Sequence, residues 1–301
     1  MRHIRRLLDW RRRIIAIRRA YRFAHGRTPS LFFPRLYSEK IQWRKLFDAD
    51  PRHAVFCDKL TTRSYIAEKG FGHLLPELIW SGEDLSQSPI RSLGFPVVLK
   101  SNHASGQYVL LRDCAAMDYD EIADLTRKWL AVDWGEQLME PAYLEIPRRL
   151  MIERMLVNSD GMPPVEHRAF IFHGKVSFVA TIIAFHDKCL SSIHTPEWER
   201  LNWKAINEPL DSKLEKPERL AEIIAVCESL CDGHDHLRVD FYDDGKRLYV
   251  GEITVYTWSG LQPLTPQSAD ADIGEYWTLE RAALRAAAKI ARCKWGEPFR
   301  L

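Results

Sequence analysis

The sequence predicts an α+β fold with an N-terminal helical extension. Three observations carry that prediction. A hairpin pattern runs from Leu237 to Thr254, short apolar strand runs alternate with helical periodicities before it, and the first residues form a basic helix set apart by charge. In the hairpin, LRVDFYDDGKRLYVGEIT, Leu237, Val239 and Phe241 alternate with Arg238 and Asp240. That is the period of a half-buried strand. Asp243, Asp244 and Gly245 supply turn chemistry. A pairing that sets Asp240 opposite Val250 puts Arg238, Asp240, Glu252 and Thr254 on one face. Leu237, Val239, Phe241, Tyr249, Ile253 and Val255 then share the other. A slip of one residue would part Glu252 from Asp240.

At 301 residues the chain can bury a substantial core, as one large or two small domains. Its 46% hydrophobic and 28% charged residues are those of an ordinary globular protein. No run of about 18 apolar residues exists to span a membrane, and the start lacks the apolar core and cleavage site of a secretory signal. Six cysteines in a chain this long do not make a disulfide framework, so a reduced cytoplasmic protein is expected. The net charge of +2 is uneven: the first 23 residues hold nine arginines and one acid, leaving 34 basic against 40 acidic residues. The basic character is local to the N-terminus, and no nucleic-acid partner is expected.

Taken in order, residues 2–23 read as a helix with one apolar stripe, Leu7, Trp10, Ile14, Ile17 and Tyr21. The stripe suits either an anionic membrane surface at the inner face, with Trp10 at the interface, or docking on the protein. Residues 34–47 begin a second helix, with Ser38 as N-cap and Ile41, Leu46 and Phe47 inward. A third runs from Asp58-Lys59 to about Glu68. Phe95 to Lys100 is a short apolar strand ending in a lysine; the small-residue loop SNHASGQY follows, and strand character resumes at Val109. Small residues let backbone N–H groups approach phosphate oxygens, and a lysine adds charge. Asp120 to Leu130 is helical. Val165 to Ile183 reads as a hairpin around His173-Gly174, and His186 to about Pro217 as a loop-rich stretch. Pro217 to Cys231 and Leu279 to Trp295 read as helices.

Two carboxylates and a hydroxyl on one hairpin face, with a guanidinium beside them, suit a hard divalent cation carrying phosphate. They equally suit a solvated strand face. Cys227, Cys231, His234 and His236 are the one cluster that could suggest zinc, but both thiols fall on the inward face of a helix, the usual place for buried cysteine. No Gly-x-Ser-x-Gly elbow marks a hydrolase.

Arg-x-Asp-Phe followed by a hairpin and Gly-Glu-Ile-Thr resembles the metal-binding end of the ATP-grasp superfamily. With Trp258-Ser259-Gly260, Asp272-Ile273-Gly274 and the string Ser38-Glu39-Lys40-Ile41-Gln42-Trp43, it is similar to the TupA-like branch found with teichuronopeptide and capsule biosynthesis. Most ATP-grasp enzymes carry Asn where this chain has Thr254. The resemblance implies an ATP-grasp fold with the nucleotide between two α+β lobes. Its parts would be residues 1–49 as the helical extension, 50–95 as the first segment, 96–154 as the small lobe and 155–301 as the large lobe with the metal site. Lys59 and Lys100, 41 residues apart, would hold the phosphates of ATP, and Ser105 and Gly106 would cover them. Glu153, Arg154, Met155 and Leu156 would form the hinge at adenine and ribose, and Arg168 would reach the phosphates. Asp240, Glu252 and Thr254 would hold Mg²⁺, and Arg238 would neutralise charge on the transferred phosphoryl group with Lys100. The implied activity is carboxylate–amine ligation through an acyl phosphate, joining an amino acid or peptide to a uronic-acid polysaccharide or its precursor. A glycosyltransferase and a non-catalytic nucleotide-binding scaffold are the alternatives.

Overall fold

The computed structural model describes residues 2–185, 188–210, 212–280, 283–285 and 287. Two antiparallel sheets organise them. The smaller holds β1 (Leu78–Gly82), β2 (Val97–Ser101), β3 (Tyr108–Leu111) and β4 (Leu150–Arg154), in the order β1-β4-β2-β3. The larger is built on β5 (Val165–Phe172), β6 (Lys175–Phe185), β7 (Lys188–His194), β8 (Arg200–Leu201), β9 (Glu208–Pro209), β10 (His236–Asp243) and β11 (Leu248–Thr254). Its order is β11-β10-β5-β6-β7-β8, with β9 parallel on β7. The stretch after His186 therefore contains strands where the sequence suggested loop.

Around the sheets stand α1 (Arg2–His25), α2 (Tyr37–Phe47), α3 (Arg52–Cys57), α4 (Lys59–Ile66), α5 (Tyr119–Ala131), α6 (Trp134–Leu138), α7 (Leu220–Leu230) and α8 (Ala269–Tyr276). Most of the helix expected over Leu279–Trp295 lies outside the described residues. Ile122 and Trp129 of α5 join Val97, Leu99, Leu150 and Ile152 in the core of the smaller sheet. Ile223, Cys227 and Leu230 of α7 join Ala169, Phe170 and Val179 in that of the larger. Cys227 and Cys231 are thus core residues, and His236 is held between Tyr37 Oη at 2.9 Å and the Ile171 carbonyl at 2.8 Å.

The apolar stripe of α1 packs on the protein. Trp10, Ile14 and Ile17 cluster with Leu31 and against Phe32, Leu46, Phe47 and Met139, and the buried Tyr21 hydroxyl meets Ser38 Oγ at 2.8 Å. The side chain of Leu7 lies outside the described residues. Docking uses the stripe, so any membrane contact falls to another face of the helix.

Helix α2 corrects the sequence reading at its start. The N-cap is Leu36, and Ser38 lies inside the helix, where its N–H and hydroxyl both donate to Asp270, at 2.8 and 2.6 Å. Every residue from Tyr37 to Lys45 is buried, charged ones included. Lys40 Nζ donates to the carbonyls of Gly274 and Trp277 at 2.7 and 2.5 Å. Arg44 Nη1 donates to His236 O and Val255 O at 2.9 and 3.1 Å, and Nη2 pairs with Asp235. His236 opens β10 and Val255 follows β11, so one guanidinium closes the open end of the central hairpin.

Hairpin pairing also differs from expectation. Asp240 faces Glu252, Arg238 faces Thr254, and the register then shifts so that Phe241 faces Val250. Gly251 is the extra residue of this bulge. A Cβ there would lie 2.5 Å from the Tyr242 ring, so the position needs glycine. The four polar residues share a face as expected. Beyond the bulge the faces exchange: Leu248 and Val250 are buried, while Tyr249 pairs with Tyr242 and leaves the core.

Replacing Arg44 by Met would take this donor from two carbonyls and leave Asp235, its side chain 37% exposed, with Trp277 Nε1 and the His236 N–H. We expect a loss of about 1–3 kcal/mol of stability, the scale for leaving buried acceptors unsatisfied, read as a fall in the urea midpoint. An unchanged midpoint would show that the hairpin holds without this clamp.

Candidate active site

The hairpin face is a compact charge cluster. Arg238 grips Asp240 with two bonds of 2.7 Å, Nε to Oδ1 and Nη2 to Oδ2, and Nη2 also reaches Glu252 Oε1 at 3.1 Å. The Thr254 hydroxyl donates to the same Glu252 oxygen at 3.2 Å. Arg168, opposite Asp240 on β5, lies 3.8 Å from it and makes bonds of 2.8 and 3.0 Å to Glu166. Burial pushes Asp240 up to about 7; the Glu252 carboxylate adds to the rise, and Arg238 and Arg168 oppose it. Burial also raises Glu252, but Arg238 and Lys59 outweigh it and leave that carboxyl below its ordinary value.

This donor set suits a hard cation: two carboxylates face each other across adjacent strands, and phosphate or water could complete the shell. Arg238 engages both Asp240 oxygens, so a cation would share Asp240 with it through remaining acceptor sites. Thr254 serves the Glu252 carboxylate as a donor.

A second group stands opposite on the smaller sheet and α4. Lys100, on β2, places Nζ 2.5 Å from Glu153 Oε2, while Arg63 donates to Glu153 Oε1 at 2.7 Å. Glu153 lies inside β4, paired with Val98, and its side chain holds two cations. Arg63 was missed by sequence reasoning, although it follows Lys59 by one helical turn on α4. Lys59 opens that helix after its N-cap, Asp58. Its Nζ donates to Ala104 O at 2.5 Å and its N–H to Asn102 O at 3.1 Å, and Asn102 Nδ2 donates to Asp58 at 2.8 Å. Burial lowers the Lys59 pKa, with Glu252 opposing. Ser105 and Gly106 lie in the loop between β2 and β3, where Gly106 takes a φ of +73°.

Beyond β4 the chain bends past a cavity. The N–H groups of Arg154 and Met155 are committed to Glu77 O and Pro96 O, at 3.0 and 3.1 Å. The Arg154 side chain turns to Glu77 and lies over the Phe95 ring. Leu156 and Val157 continue the cavity wall.

Two cavities flank the charged groups. One, of about 510 Å³, runs along the bend after β4, the loop before Tyr108, Pro163-Pro164 and Tyr242. The other, of about 500 Å³, is walled by Cys57, Trp134, Glu140, Tyr143, Tyr256 and Trp258. They share Lys59, Lys100, Ser105, Glu153, Arg168 and Glu252. The structure thus gathers the phosphate and metal candidates at one junction, with open volume on either side. The second chamber was not legible as a site, since its aromatic residues are scattered through the chain.

Part of the chamber wall is backbone in an uncommon conformation. Trp258 and Ser259 have φ values of +51° and +56°. The Ser259 carbonyl accepts from Gln42 Nε2 and Lys45 Nζ, both at 2.8 Å, which holds the turn in place. Gly260 follows at φ +61°, where a Cβ would meet Gln42 Nε2 at 2.6 Å and Ser38 O at 2.8 Å. The Trp-Ser-Gly string is therefore shaped by α2.

Residues 39–278 match the TupA-like ATP-grasp family. Among solved structures the chain is similar to a D-alanine–D-alanine ligase from Bacillus anthracis complexed with ATP. The identity is 17%, the TM-score 0.41, and 80% of this chain and 68% of that one are covered. It is similar to the ATP-grasp ligase PsnB complexed with a minimal precursor at 11% identity and TM-score 0.43, over 83% and 68% of the two chains. A RimK domain ATP-grasp protein from Sphaerobacter thermophilus gives 14% and 0.42, over 76% and 69%. No curated protein matches the chain. With a family match spanning most of its length, including the hairpin, both lysines and the α2 string from Glu39 on, the chain belongs to the TupA-like ATP-grasp family and is an enzyme of the carboxylate–amine ligase class.

Proposed function

We propose that the enzyme uses ATP and Mg²⁺ to join an amino acid or peptide to a uronic acid of a cell-surface polysaccharide or its precursor. The observation that carries this reading is the junction of the two cavities at Lys59, Lys100, Arg168 and Glu252. The cavity along the bend after β4 suits the nucleotide, with its base near Met155 and Leu156 and its phosphates at the junction lysines. Asp240 and Glu252 would hold Mg²⁺, which would screen the phosphates. Ser105 and Gly106 would cover them. The aromatic chamber would take the carboxylate and the amine.

Every cation at the junction already has an anionic or carbonyl partner: Lys100 and Arg63 on Glu153, Arg238 on Asp240, Arg168 on Glu166, Lys59 on Ala104 O. A triphosphate would compete for these donors, and preorganised positive groups would stabilise charge on the transferred phosphoryl group. Arg238, closest to both metal candidates, is the group proposed to do so. The carboxylate would attack the γ-phosphate to give an acyl phosphate, and the amine would then displace phosphate to give the amide.

We also propose that the outer face of α1 contacts an anionic lipid surface. Arg11, Arg12, Arg19 and Arg22 are exposed there beside Ile15, 65% exposed, and Phe23, 93% exposed. No helix among the described residues is long and apolar enough to cross a membrane. Each arginine near such a surface contributes on the order of 1 kcal/mol.

Wild-type protein with ATP, D-glucuronate and hydroxylamine should release ADP and phosphate and form the hydroxamate. AMP with pyrophosphate, a stable phosphorylated sugar, or sugar transfer without ATP would each overturn the reading. Asp240→Asn and Glu252→Gln should each cut turnover by about 100-fold or more, and Thr254→Ala by less. Full turnover in Glu252→Gln would remove the metal assignment. The raised Asp240 is protonated below its folded pKa of about 7, so Mg²⁺ affinity should weaken by about tenfold per pH unit below that point. Exchanging Arg19 and Arg22 for Glu, with Phe23→Ser, should abolish sedimentation with phosphatidylglycerol vesicles, and salt should weaken wild-type binding. Equal sedimentation of both proteins would exclude this face.

A further inference from the structure

Glu140 follows α6 on the wall of the aromatic chamber, and only 3% of it is exposed. Its partner in charge is Lys45, with Nζ 3.6 Å from Oε1. That lysine has already given its three protons elsewhere: to Leu138 O at 3.0 Å, Ser259 O at 2.8 Å and Ser259 Oγ at 2.5 Å. Lys45 therefore supplies Glu140 with field and, at 3.6 Å, with no more than a long, weak hydrogen bond. The Ser259 hydroxyl, its oxygen taken by Lys45, faces Glu140 as a donor. An ionised carboxylate offers about four acceptor sites, so this buried anion keeps capacity to spare. The same chamber is lined by Trp258, whose buried indole N–H has no acceptor among the described residues. A buried carboxylate with acceptor sites to spare on a cavity wall calls for a polar ligand that completes it.

The charge layout says which ligand. Lys59, Lys100, Arg168 and Arg238 stand at the junction end of the chamber, where they favour anions. Glu140 lies outside that group and is buried beside Cys57, Tyr143 and Tyr256, whose own ionisation burial and its charge suppress. An ammonium would be repelled at the junction and drawn to Glu140.

We propose that Glu140 binds the ammonium group of the amine substrate and accepts the proton that it must lose before attack. This rests on the ligase reading above. The ammonium transfers one proton to the Glu140 carboxylate, and the freed lone pair attacks the acyl carbon. The N–C bond forms as the C–O bond to phosphate breaks, and the phosphate leaves with that electron pair and the second N–H proton. Burial raises the Glu140 pKa against the lowering by Lys45 and Ser259, which makes it a better base than an exposed carboxylate.

The test is calorimetry of the full chain, loaded with a non-hydrolysable ATP analogue and Mg²⁺, against the common L-amino acids one by one as amine probes. Wild-type protein should bind a subset, and Glu140→Gln should weaken those about tenfold or more. Removing the carboxylate alone leaves Lys45 buried without its counter-charge. The double variant Lys45→Met, Glu140→Gln removes both charges but also the three hydrogen bonds of Lys45, so it should melt below wild type; binding of the ATP analogue in the same calorimeter shows that it is folded, and the folded protein should show the same loss. With an amine probe, D-glucuronate and Mg²⁺ kept saturating at every pH, the wild-type rate at low amine should fall as pH drops through the raised Glu140 pKa. That limb should vanish in the double variant, a change that a packing role would not produce. No probe bound by wild type, or equal binding in the double variant, would overturn the assignment. Hydroxamate formation by wild type reads the ligase reaction separately, so failure there condemns the ligase reading and failure of amine binding condemns only Glu140.

Discussion

Three buried cations on α2 hold the rest of the structure in place. Lys40, Arg44 and Lys45 all point into protein, and each ends on backbone carbonyls more than 90 residues away in sequence. Desolvating a cation costs several kcal/mol unless geometry and hydrogen bonds offset it. Here Arg44 spans Asp235, His236 O and Val255 O, Lys40 takes Gly274 O and Trp277 O, and Lys45 takes Ser259 and Leu138. The result is a helix that works as a bolt through the two ends of the central hairpin and the turn at Trp258. The positions of Asp240 and Glu252 depend on it, though it touches neither.

The junction itself is a neutralised array. Arg63, Glu153 and Lys100 form one alternating chain, and Arg238, Asp240, Arg168 and Glu166 another. Each charge, buried or half-buried, lies next to its opposite, which keeps the cost of assembling so many ions in one cleft tolerable. It also means that positive potential is stored in pairs, available to a polyanion at the cost of exchanging partners.

The hairpin, its turn and its polar face were legible because strand period and turn chemistry are local signals. The bulge at Gly251 was not: a glycine in a strand tells of a close approach or a bulge without saying which neighbour requires it, and Tyr242 is that neighbour. The same limit hid the purpose of α2. The partners of its lysines and arginine are mostly carbonyls, whose position no periodicity reveals. Ser38 looked like a cap because serine before an acid often is one; Asp270, 232 residues on, outcompeted the helix end for it. Arg63 and Glu140 escaped for a plainer reason, since isolated charged residues gain meaning only when a cavity forms around them.

The bonds between α4 and the loop before Tyr108 bear on motion. Lys59 meets that loop twice, through its N–H on Asn102 O and its ammonium on Ala104 O, and Asp58 holds the Asn102 amide. Three bonds at successive positions leave no slack between helix and loop. A flap that closed over a nucleotide by swinging the loop alone would have to break all three at once. On its other side α4 is tied to the core of the larger sheet, through Ile66 and through the Tyr65 hydroxyl, which donates to Leu230 O at 2.6 Å. Helix α4 is thus a tie between the two halves, and the loop before Tyr108 is fastened through it to the larger core.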